Sequence, residues 1–255
     1  MQAETRRFFE LLFAMTEKEL RARYKYTVFG FFWLVVNPLI QMLVIGFVFR
    51  MFMKEPIENY YYYLFIGLLV WNFFALSLNK ATPSIVFERD LIKKSQFPRS
   101  VIPLSIILSN FIHLMMALVL FFIPVIFLGT VSLMSILYFF PALVLIVLFT
   151  AGLSLLTSAL NVRFRDINFF VQALLIVWFY ATPIMYSINM IPRRLIWIWR
   201  LNPVTVIVQL FQHAFVNTPL PGPAMTAANL TVILLVIILG VFIFRSESKN
   251  FDDWL

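Results

Sequence analysis

Two histidines, a pair of aspartates beside the chain end and a crowd of charges between two apolar runs are what this sequence offers for chemistry. A metal or general-base site needs His, Asp and Glu converging on one spot. His113 and His213 stand far apart, with no acidic neighbour in their own apolar runs, so each reads as a buried polar contact. Asp252-Asp253 has the form of an acidic metal pair, yet its position beside the end makes a solvated tail the expectation. There is no cysteine, hence no thiolate chemistry and no Cys-based metal site. Nucleotide hydrolysis calls for a glycine-rich loop closed by Gly-Lys-Ser/Thr. None of the seven glycines is followed by lysine, so the chain is not expected to hydrolyse ATP.

The charge crowd is "ERDLIKKSQFPRS", residues 88–100, in a chain only 13% charged. Pro83 before it and Pro98 after it are helix boundaries, which predicts a short helix within 84–97. Glu88 and Asp90 come early, and Lys93 and Lys94 late, an order that suits the helix dipole. Asp90 and Lys94 are spaced as an i,i+4 pair. Leu91 and Ile92 form an apolar knuckle beside these charges and Arg89. A loop that only joins two apolar runs does not need a capped helix with such a knuckle, whereas a docking element does. A positively charged loop that happens to be helical is the blander reading.

The elements that must position this helix are set by composition. The chain has 255 residues, of which 62% are hydrophobic, and a mean hydropathy of +0.91. These values imply an all-α integral membrane protein built as one transmembrane domain, 1–255. Six spans are expected, at 31–49, 64–86 (surest to Asn79), 101–128, 133–160, 167–186 and 224–244. Arg6, Arg7, Lys18, Arg21, Arg23 and Lys25 before the first span, Lys80 to Arg99 after the second, Arg163 and Arg165 after the fourth, and Arg245 and Lys249 after the last fall on one side. Fewer cations, Arg50, Lys54, Arg193, Arg194 and Arg200, fall on the other. By the positive-inside rule both termini and the 88–100 stretch are cytoplasmic.

Residues 4–25 lack the pattern of a cleavable signal. They read instead as an amphipathic helix lying in the membrane interface, with Phe8, Phe9, Leu12 and Met15 on one face. Residues 187–216 are apolar but broken by Pro192 and Pro203, which predicts two short re-entrant helices dipping in from the outer side.

With the second span ended at Asn79, no Asp, Glu, Lys or Arg lies inside the six spans, which argues against a proton- or sodium-coupled transporter. Their polarity is neutral, as at Asn37, Asn72, Asn110 and Thr157, and suits interhelical hydrogen bonds. Most aromatics fit an interfacial belt. The sharper reading places Trp33, Trp178, Phe179, Tyr180 and Tyr186 along a sugar path, where aromatic faces pack on pyranose C–H faces.

Four stretches carry a resemblance: "RARYKYTVFGFFWLVVNPL" (21–39), "LIKKSQFPRSVIPLS" (91–105), "RFRDINFFVQALLIVWFYATPIMY" (163–186) and "LNPVTVIVQLFQHAF" (201–215). In that order and spacing the chain resembles the membrane subunits of ATP-binding-cassette polysaccharide exporters, of the O-antigen, capsule and teichoic-acid type. The resemblance implies a bacterial cytoplasmic-membrane permease that exports lipid-linked polysaccharide as a homodimer with two ATPase subunits. ATP and Mg would be bound by those partners, with no cofactor in this chain, membrane lipids around it and no nucleic acid partner. It implies that Glu88, Arg89, Asp90, Leu91, Ile92, Lys93 and Lys94 form the coupling helix, with Arg163, Arg165 and Asp166 near the same ATPase. It also implies that Arg21, Arg23, Tyr24 and Lys25 meet the phosphate of the lipid carrier, and that 187–216 gates the outer side. Phe31-Phe32-Trp33 and Tyr60–Tyr63 are more aromatic than that pattern. A permease for drugs or lipids is the alternative. A membrane-embedded glycosyl or phosphoglycosyl transferase is a further one, disfavoured because the acids are scattered.

Overall fold

Backbone groups in hydrocarbon must find their partners within the segment, and helices do this locally. The computed structural model describes residues 2–25, 33–52, 57–95, 97–127, 133–192 and 194–254, and every long element among them is an α-helix. In chain order these are α1 (Gln2–Tyr24), α2 (Trp33–Phe52), α3 (Tyr60–Phe87), α4 (Arg89–Lys94), α5 (Val101–Phe127), α6 (Leu133–Arg163), α7 (Asp166–Tyr180), α8 (Ile196–Leu201), α9 (Pro203–Val216), α10 (Pro223–Glu247) and α11 (Phe251–Trp254). The expected boundaries at Phe31 and Leu128 lie outside the described residues.

Among the described residues five helices, α2, α3, α5, α6 and α10, are long and apolar enough to cross a membrane, while α7 and α9 are apolar but shorter. The chain is an integral membrane protein. Where a sixth span was expected over 167–186, α7 has 15 residues and stops at Tyr180. The physical reason is Pro183, which cannot donate to a helical carbonyl. Residues 181–187 turn instead, and Asn202 Nδ2 donates to Ala181 O and to Thr182 Oγ1, both at 3.0 Å.

The helix α3 is the axis of the bundle. Of its apolar window 72% is buried, against 11% for α2 and 22% for α10, and α2, α5, α6, α7 and α9 all pack on it. Phe74 stacks on Phe149 at 5.6 Å and meets Trp178 edge-on at 5.2 Å. Pro83, expected before a separate cytoplasmic helix, sits inside α3. Hydroxyls beside it occupy the local polar groups: Ser84 Oγ donates to Ala81 O at 2.7 Å and Thr82 Oγ1 to Thr157 Oγ1 at 2.9 Å. Because α3 continues to Phe87, Lys80 lies within it, which corrects the charge-free second span.

The other close pairing is α6 with α10. Gly152 and Gly240 face each other there, and a Cβ on Gly152 would stand 2.8 Å from Ile237 Cα. Small residues allow this approach in a medium that supplies no hydrophobic drive between helices. The short helix α9 is buried along nearly its whole length between α3 and α6. Its start is written in "NPV": Asn202 caps by accepting from Val204 N at 3.1 Å, and Pro203 occupies the first turn, where no N–H partner is needed.

Candidate functional site

The turn at Glu88 ends α3 and begins α4, whose six residues place Asp90 in the first turn and Lys93 and Lys94 in the last. A helix this short has no stability of its own and must be seated by packing. Ile92 provides the seat. It is 4% exposed and belongs to a cluster with Ile85, Ile102, Val162, Phe244 and Phe251. The expected Leu91-Ile92 knuckle is therefore divided: Ile92 faces the protein, whereas Leu91 is partly exposed. Arg89, Asp90, Lys93 and Lys94 are exposed. Asp90 lies 3.6 Å from Arg89 rather than pairing with Lys94. Glu88 accepts from Lys18 of α1 at 2.6 Å.

The second predicted loop comes to the same end of the bundle. Val162 of α6 shares the cluster with Ile92, while Arg163, Arg165 and Asp166 are exposed. The Arg163 guanidinium lies 5.1 Å from the Phe164 ring and 5.4 Å from that of Trp254. The structure thus brings residues 88–94 and 163–166 onto one surface.

Arg21 and Arg23, grouped by the sequence, part company. Arg21 is exposed and hydrogen-bonds Glu17 on its own helix. Arg23 turns inward to α5, donating to Asn110 Oδ1 at 2.6 Å and contacting His113 Nδ1. Thr16 approaches Ser105 O at 3.5 Å, so contacts advance together along both helices. The latter half of α1 therefore runs beside α5, which gives the amphipathic helix a packing partner in the bundle. Lys25 is exposed, and the side chain of Tyr24 is outside those described. Beyond Arg23 is a cavity of about 280 Å³ among α1, α2, α3 and α5. Arg23, Asn37, Asn72, Asn79, Asn110 and His113 supply its polar lining and Trp33 lies on its wall. This set carries positive charge and amide donors and no carboxylate, a lining that suits an anionic oxygen ligand.

The remaining aromatics take different places. Trp178 is bound into the core, with Nε1 donating to Asn202 Oδ1 at 2.8 Å and its ring against Phe74 and Phe149. Phe179 packs on Trp71 at 5.5 Å. Tyr186 donates to Tyr180 O at 2.7 Å and accepts from Trp199 Nε1 at 2.8 Å. Trp33 and Tyr180 have exposed rings. His113 is buried and His213 partly so, the latter edge-on to Tyr138 at 4.8 Å, as polar contacts within the fold.

Sequence reasoning missed the segment after α10. Phe251, beside the supposedly solvated aspartates, is fully buried; Asp253 is exposed and the Asp252 side chain is not described. The available signal was Phe251 and Trp254 at i,i+3 in an otherwise polar run.

The profile of the ABC-2 type transporter family matches residues 10–216. The chain is 34% identical over 248 residues to an O-antigen export system permease protein RfbA of Klebsiella pneumoniae, covering 97% of this chain and 95% of that protein. A second protein of that description from Klebsiella pneumoniae is 33% identical over 248 residues, with the same coverage. One from Myxococcus xanthus is 34% identical over 245 residues, 93% of each chain.

Proposed function

The chain belongs to the ABC-2 type transporter family as a membrane subunit, and from that premise we propose that it exports an O-antigen-like, lipid-linked polysaccharide across the bacterial cytoplasmic membrane. A separate ATPase subunit binds and hydrolyses the ATP. Similarity to O-antigen export permeases over 97% of the chain is the observation that carries this reading. In the working transporter two copies of this chain pair with two ATPase subunits, both termini are cytoplasmic, α7 completes a sixth crossing, and α8 and α9 form the outer re-entrant pair.

The surface built from α4 and the 163–166 loop is the docking face for the ATPase. Exposed Arg89, Asp90, Lys93, Lys94, Arg165 and Asp166 offer charges of both signs for register, and buried Ile92 holds α4 firm enough to transmit a push. Arg23 and its cavity receive the phosphate of the lipid carrier from the cytoplasmic leaflet. The helix α1 links the two sites: Lys18 holds Glu88 at the head of α4, Glu19 lies 3.9 Å from Lys80, and Arg23 follows on the same helix. A displacement of α4 is therefore felt where the headgroup binds.

Reconstitution tests the reading. The chain and its ATPase in proteoliposomes loaded with lipid-linked polysaccharide should render the glycan accessible to a glycosidase on the far side, and only with ATP. ATP-driven movement of phospholipid or dye with no movement of glycan would replace this reading by a drug or lipid permease. Glycan chemistry by the chain alone would replace it by an enzyme.

A further inference from the structure

The segment that follows α10 is polar enough to be left in solvent, yet it is tied down at both ends, by an arginine from each cytoplasmic loop. Arg99, between α4 and α5, hydrogen-bonds the Ser248 carbonyl and holds its guanidinium 5.8 Å from the Phe251 ring. Arg163, at the end of α6, lies 5.4 Å from the Trp254 ring. Phe251 and Trp254 are three residues apart in α11 and share a face. Between the two arginines Phe251 is fully buried and meets Phe244 edge-on at 5.7 Å. The cluster it completes contains Ile92, the seat of α4, and Val162, the last turn of α6.

A six-residue helix and a two-residue loop are each weakly held by themselves. A desolvated aromatic core with a cation on either side is a stiff connector, because both contacts are lost if the loops separate. We propose that Phe251 and Trp254, with Arg99 and Arg163 as their anchors, are positioning residues for energy coupling: they brace the α4 loop against the α6–α7 loop so that both move as one body when the ATPase acts. The inference rests on the docking role given to those loops.

The chain has no cysteine, so paired spin labels can be placed cleanly. Ser95→Cys and Phe169→Cys put one label beside each loop, at exposed positions outside the docking set. In the reconstituted complex with its ATPase, the distance distribution between them should be narrow. Phe251→Ala and Trp254→Ala should each broaden it. Export per ATP hydrolysed should fall about two- to fivefold, the effect of one lost cation–aromatic contact at a partly exposed site, while ATP hydrolysis continues. Trp254→Phe keeps an aromatic face for Arg163 and should restore both readouts. Trp254 is only partly buried, so its variants remain informative if Phe251→Ala does not fold. A narrow distribution and unchanged export per ATP in inserted Trp254→Ala would overturn the brace. If the unaltered complex exports no glycan but the variants still broaden the distribution, the brace stands and the polysaccharide-export reading fails.

Discussion

Ile92→Ala tests whether α4 is held as a rigid lever. Ile92 is 4% exposed, so truncation removes nearly its full burial and leaves a cavity, at a cost of about 3 kcal/mol. In a long helix that loss would be shared with the backbone ladder. In α4 there are only six residues to share it, and its propensity contributes little. The cost therefore falls on the equilibrium between seated and unseated α4, shifting it roughly a hundredfold. Hydrogen exchange of residues 88–95 in the purified chain should accelerate by about that factor, with α3 and α5 protected as before. The double variant Lys93→Glu, Lys94→Glu serves as contrast. Both lysines are exposed, so exchange should stay within the small range of surface substitutions, while co-purification of the ATPase is lost. Unchanged exchange in Ile92→Ala would refute the seat. Retained ATPase with the double reversal would remove α4 from the docking face.

Three further outcomes follow from the geometry. Arg21→Ala should leave export unchanged, because it removes an exposed i,i+4 pair worth at most about 0.5 kcal/mol; Arg23→Ala removes the donor to buried Asn110 Oδ1 and should lower export in glycan-release assays. Equal export by both variants would end the headgroup assignment. Gly152→Ala drives a methyl onto the Ile237 backbone and should destabilise the chain by about 1–3 kcal/mol, read as an earlier thermal transition in detergent. Trp178→Phe breaks the 2.8 Å bond to Asn202 and should cost about 1 kcal/mol without changing which glycan is exported. A changed glycan preference would return Trp178 to the substrate path.

Helices, and most of their boundaries, were legible because apolar runs and caps are local signals. The expected 101–128 and 133–160 became Val101–Phe127 and Leu133–Arg163, and the breaks at Pro192 and Pro203 announced short helices where α8 and α9 stand. Pro83 misled because proline reports a missing donor but not the packing around it: Pro83 is buried in α3, the helix on which α2, α5, α6, α7 and α9 all pack. Direction was harder to read than type. Leu91 and Ile92 are equivalent in composition, and what separates them is a cluster assembled from residues as distant as Phe251. The same holds for Arg21 and Arg23, divided by where α5 lies against α1.

The absence of charge from the expected spans has a consequence that only tertiary placement exposes. A guanidinium buried on a spanning helix is a permanent cost, and the spans avoid it. Arg23 instead belongs to α1 and reaches the α5 polar groups from the side, where Asn110 and His113 meet it. A cation presented on a separate helix, tethered through Lys18 to the turn that starts α4, can be repositioned without unfolding a span. A charge fixed midway along α5 could move only with α5 itself. If Arg23 grips the headgroup phosphate, this arrangement lets a push on α4 loosen the grip. Lys18→Ala, which cuts the tether to Glu88, should then leave headgroup binding intact and lower export per ATP hydrolysed, and unchanged export in that variant would refute the linkage.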